Sequence, residues 1–165
     1  MIISTIIISF LLDGIISGLI QINSFFLPLF SLLSLALIYP YLKNKNKNFL
    51  IVAGTIGCIY DIAYTNTLFL NTLMFILLAV LIDKLFSYLP INIGNTYMVS
   101  AVVIIAYRVI IFLFLVLIQV ISFDMISLSR SIASSVLANL IYVTTIYAIL
   151  SLLAKRYNIK KENKI

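Results

Sequence analysis

Six long apolar stretches run through this chain, and a chain built that way folds by crossing a bilayer. They cover about Ile2 to Ile20, Phe25 to Leu42, Phe49 to Tyr64, Leu68 to Ile82, Thr96 to Ser122 and Ile132 to Leu153. A hydrocarbon core of about 30 Å needs on the order of 20 helical residues. Backbone polar groups in lipid must be satisfied internally, and the runs lack the alternation of barrel strands, so helices are the spanning form. With 64% of 165 residues hydrophobic and only 10% charged, no length is left for a second domain. The expected fold is therefore an all-α polytopic membrane protein with six transmembrane helices in residues 1–154 and a short basic tail in residues 155–165. The third and fourth spans are short and joined by a few residues around Thr65 to Thr67, which predicts a tight helical hairpin. Pro28 and Pro40 fall in the first and last turns of the second span, where a missing N–H is tolerated.

Orientation follows from the basic residues of the short loops. Lys43, Lys45, Lys47, Lys84, Lys155, Arg156, Lys160, Lys161 and Lys164 all fall on one side of this arrangement, and Arg130 on the other. Both termini are thus expected in the cytoplasm of a cell whose cytoplasmic membrane holds the chain. The net charge of +6 marks topology rather than nucleic-acid binding, because the basic residues cluster at helix ends and in the tail. The first segment, MIISTIIISFLLDG, has no basic n-region and is expected to stay as the first span. Residues Asp83 to Asn95 are expected to continue the fourth span along the inner interface, with Leu85, Phe86 and Leu89 facing lipid.

Three ionisable side chains, Asp13, Asp61 and Arg108, lie inside these spans. A charge at the centre of an inserted helix costs roughly 2.5 to 3.5 kcal/mol, so each marks a site of function or assembly. Counted from the cytoplasmic helix ends they share a depth of roughly 17 to 18 Å. Arg108 is expected to pair with Asp61 first and Asp13 second, with snorkelling to the headgroups as the competing reading. Gly54, Gly57 and Asp61, spaced i, i+3, i+7, share one helix face, where glycines admit a neighbouring backbone, and this face, with Gly14, Gly18 and Asn71, is expected to pack closely and receive a partner helix. Gly14 and Gly18 form a GxxxG pair in the first span, a weak signal alone. Tyr60 and Tyr64 read as an interfacial aromatic anchor, and Ser131, Ser135, Ala138, Tyr142 and Thr145 as a packing stripe of the sixth span.

Catalytic and metal chemistry lack their residues. There is no histidine, one cysteine (Cys58), no glutamate before the tail, and no serine in a nucleophile-elbow context. Asp13 and Asp61 are not in the glycine-flanked setting of intramembrane aspartyl proteases, and Arg108 would keep a neighbouring carboxylate ionised. No enzyme activity, cofactor or metal is expected.

The stretch GTIGCIYDIAYTNTLFLNTLMFILL, Gly54 to Leu78, resembles the core signature of the rod shape-determining MreD family. That family shows a helix ending in G-x-x-x-D, a short polar turn and a Gly-Leu-Asn-Ala-like start to the next helix. Gly57 and Asp61 match the first part and Asn71 the second, while Phe69 stands where the family usually has glycine. The resemblance implies a non-enzymatic membrane subunit of the bacterial elongation machinery. Its implied partners are an MreC-like bitopic protein and, in the same complex, a RodA-type glycosyltransferase, a class B penicillin-binding protein and MreB. It also implies a fold similar to the substrate-binding subunits of energy-coupling-factor vitamin transporters, which supply the alternative function. Those subunits usually carry A-x-x-x-A in the first helix, and the first span here has no alanine.

Overall fold

In the computed structural model, described for residues 2–19, 27–42, 45–65 and 69–156, every regular element is helical. The order is α1 (Ile2–Leu19), α2 (Phe30–Ile38) running into a tight 3-10 turn (Tyr39–Tyr41), α3 (Lys45–Tyr60) ending in a wide π turn (Asp61–Thr65), α4 (Leu70–Tyr88), α5 (Ile93–Leu117) and α6 (Met125–Arg156). These six helices follow the order of the six expected spans. Four have the length and apolarity to cross a membrane: Asn48–Thr65, Leu70–Tyr88, Ile93–Leu117 and Met125–Arg156. Ile2–Gly18 and Phe30–Tyr41 are shorter apolar helices. Lys43 and residues 157–165, with most of the tail lysines, lie outside the described residues.

The shortest helix holds the bundle together. The sequence of α2, FSLLSLALI, has no charged side chain on any face, and all nine of its residues are buried. It touches each of the five other helices. Together with its 3-10 turn it is about 18 Å long at helical rise, well short of a bilayer core, so it begins inside the bundle rather than at a surface.

The far end of α2 is locked by aromatic packing. Tyr39 Oη donates to Asp83 Oδ1 at 2.6 Å, and its ring stacks on Phe86 with centroids 5.1 Å apart and meets Phe49 edge-on at 5.0 Å. This corrects the expected interfacial segment after the fourth span. Phe86, expected against lipid, is buried because Tyr39 covers it, and Leu85 and Leu89 are half-buried against the core. The helix α4 simply runs on to Tyr88, and after a short turn Asn92 caps α5 by accepting from Asn95 N at 2.8 Å.

The last two expected boundaries also move. The fifth span ends at Leu117 rather than near Ser122, because Gln119 takes a left-handed φ of 58° that ends the helix. The sixth helix starts at Met125 rather than Ile132. Asp124 caps it, accepting from Ile126 N at 3.0 Å and Ser127 N at 3.2 Å.

Candidate functional site

Asp13 is on the buried stripe of α1 with Thr5 and Ser9, at helical spacing of four residues. Its carboxylate receives the first turn of α2: Phe30 N donates to Oδ1 and Ser31 N to Oδ2, each at 2.8 Å. One residue earlier, Leu29 N donates to Asn139 Oδ1 of α6 at 2.9 Å. The Asn139 amide in turn donates to Leu27 O at 3.1 Å and Ser135 O at 2.8 Å. A helix start leaves its first N–H groups without intrahelical partners, and lipid offers no water to take them. Here α1 and α6 supply the acceptors, and the negative carboxylate meets the positive end of the α2 dipole. Around this junction Tyr142 stacks on Phe30 with centroids 4.4 Å apart, and its hydroxyl bonds to Ser9 Oγ.

Asp61 does the same for α4. Its Oδ1 accepts from Asn71 N and Asn71 Nδ2, both at 3.0 Å, and its Oδ2 from Thr72 N at 2.9 Å and Thr72 Oγ1 at 2.8 Å. The π turn that begins at Asp61 swings the chain into the hairpin, and Phe69 takes φ 60°, ψ 9° immediately before α4. The approach is close enough to need a glycine. A Cβ on Gly57 would stand 2.7 Å from Thr72 Cα and 3.0 Å from Asn71 O, whereas one on Gly54 would meet the Ile76 side chain at an ordinary 3.4 Å. The face of Gly54, Gly57 and Asp61 is thus turned toward α4 of the same chain. Asn71 extends the cluster, its Oδ1 accepting from Tyr107 Oη of α5 at 3.1 Å.

Arg108 reaches from α5 to α6, where its Nε donates to Ser135 Oγ at 2.9 Å and an Nη group donates to the same hydroxyl. The hydrogen bonds described for Asp61 run to Thr65 and the start of α4, and those for Arg108 run to Ser135. Tyr107, beside Arg108, joins the Asp61 cluster through Asn71.

The remaining glycines and the tyrosine pair divide. A Cβ on Gly14 would stand 2.6 Å from Tyr64 Oη, while Gly18 has nothing within 4 Å. Tyr64 Oη donates to Phe10 O at 2.7 Å. Tyr60 is buried beneath Phe10, Tyr64 and Phe75. The two tyrosines therefore fasten α3 to α1. Asn139 escaped sequence reading; its signal was a lone amide in a long apolar helix, one turn after Ser135.

The chain that carries these capping carboxylates matches a known family. The family model of the rod shape-determining protein MreD matches residues 1–157. The chain belongs to the MreD family. Comparison with curated proteins and with solved structures gives no match. Membership places the chain in rod shape determination, as an integral protein of the cytoplasmic membrane. Just before α4, Phe69 is left-handed, a conformation that suits glycine. That conformation costs a non-glycine residue about 1 to 2 kcal/mol, and the Phe69 ring is 60% exposed, so little packing offsets it. Phe69→Gly is expected to raise stability by about 1 kcal/mol, read as a higher thermal midpoint of the detergent-purified protein; a lower midpoint would show that the ring contributes more than the strain costs.

Proposed function

We propose that this MreD-family chain is a non-enzymatic scaffold or regulatory subunit of the cell-wall elongation complex, acting in lateral peptidoglycan synthesis. The observation that carries the reading is the family match over residues 1–157. The geometry supports its scaffold part. Asp13, Asp61, Asn71 and Asn139 hold the helices of the chain's own fold, and the outer faces are broad apolar helix surfaces, with Ile7, Leu11 and Ile15 exposed along α1. Gly18, with open space over it on α1, gives a partner helix a place to approach closely. The partner that fits is an MreC-like bitopic protein. Through it the chain joins a RodA-type glycosyltransferase, a class B penicillin-binding protein and MreB, with both of its own termini in the cytoplasm.

Deleting the coding region in a rod-shaped host without a second copy is expected to turn rods into spheres, and the tagged chain is expected to bring down the MreC-like protein from solubilised membranes. Normal rods after deletion would overturn the reading. Lost uptake of a vitamin with unchanged shape would favour the transporter alternative.

A further inference from the structure

Between α5 and α6, at the end of the bundle where α6 begins, lies a cleft of about 270 Å³. Phe112 and Leu115 of α5 and Leu128 of α6 give it apolar walls, and its polar groups are Arg108, Ser127 and Ser131. The serines are arranged in a line. Ser127, Ser131 and Ser135 recur every fourth residue and so share one face of α6, leading from the mouth of the cleft down to the hydroxyl that holds Arg108. Arg108 itself lies about 14 Å along α5 from its end at Leu117. Its guanidinium lines the cleft, held in place there by the Ser135 hydroxyl.

We propose that this cleft binds one anionic phospholipid, with the phosphate at the mouth beside Ser127 and Ser131, attracted by the Arg108 charge below it, and an acyl chain descending along the apolar outer surface of α5 and α6. The inference goes beyond the scaffold reading and does not depend on it. Three observations argue for this occupant. A guanidinium fork matches the oxygens of a phosphate and is the side chain suited to holding one away from bulk water. The volume lies just below the roughly 300 to 1,000 Å³ of sites that enclose a whole small solute, which suits a ligand held by one end only. Finally, the surface beside the mouth is apolar, with Phe114, Leu117 and Ile126 exposed, so the rest of the bound molecule is itself apolar.

The test uses the full chain purified in non-ionic detergent, with phosphatidylglycerol and phosphatidylcholine of identical acyl chains compared by native mass spectrometry and thermal shift. One phosphatidylglycerol is expected to remain bound under conditions that strip phosphatidylcholine, and to raise the melting midpoint. Arg108→Gln and Ser131→Phe, the second filling the cleft from a half-buried position, are each expected to reduce phosphatidylglycerol retention about tenfold or more. Soluble glycerol phosphate is expected to give no shift; a shift equal to that of the lipid would overturn the lipid assignment in favour of a free anion. Equal retention of the two lipids would overturn the proposal. So would unchanged phosphatidylglycerol binding by Ser131→Phe, which also serves if Arg108→Gln does not fold. Loss of a co-purifying membrane protein from Arg108→Gln, with lipid retention intact, would assign the cleft to an acidic partner helix instead.

Discussion

Asp13→Ala is expected to leave the chain largely unable to fold. The substitution strands Phe30 N and Ser31 N, which the carboxylate now accepts at 2.8 Å, in a place no water reaches. A charge-assisted hydrogen bond contributes about 1.5 to 3 kcal/mol, and leaving its buried donor unpaired costs a similar amount. Two such losses come to about 3 to 6 kcal/mol, comparable with the whole stability margin of many domains. The damage falls on α2, the helix every other helix touches. Asp13→Asn keeps one oxygen acceptor and should cost roughly half as much, about 1.5 to 3 kcal/mol. Monodisperse yield in detergent and the thermal midpoint measure both variants, and an Asp13→Ala protein as stable as the parent would disprove the capping role.

Gly57→Leu should separate the α3–α4 hairpin. Even a Cβ at that position would stand 2.7 Å from the Thr72 backbone, so α4 must move away, and with it the Asn71 and Thr72 groups that bind Asp61. Overpacking in a tight core typically costs about 1 to 3 kcal/mol, the expected cost of Gly57→Ala; the larger side chain adds lost carboxylate bonds at about 1.5 to 3 kcal/mol each. Gly18→Leu, in open space, should stay within about 0.5 kcal/mol and still fold. Protease resistance of the hairpin and the thermal midpoint separate the two glycines. Equal effects at Gly57 and Gly18 would mean that the crossing is not tight.

The glycine face shows how far spacing can be read. From Gly54, Gly57 and Asp61 at i, i+3, i+7 it follows that two glycines and a carboxylate share a surface that something approaches closely. Spacing does not say whether that neighbour belongs to the same chain. The π turn at Asp61–Thr65 and the left-handed Phe69 fold α4 back onto this face, and neither has a periodic signature. The same limit applies to the charges. Insertion cost alone marks Asp13, Asp61 and Arg108 as residues that need partners, and depth counting looks for those partners among the other charges. Much of what the carboxylates bind is backbone N–H, which every residue but proline carries and no composition reveals.

Class, membrane location, six-helix order and the charges that need satisfying within the spans were therefore determined by the sequence itself, because apolar run length and the cost of charge in lipid act on each segment separately. What only the tertiary structure decided is which helix starts inside the bundle and what satisfies it. The α2 run looks like any other apolar span until Asp13 and Asn139, from helices far away in the chain, meet its first N–H groups. Caps of this kind are long-range contacts, and their energy exists only once α1, α2 and α6 are packed together.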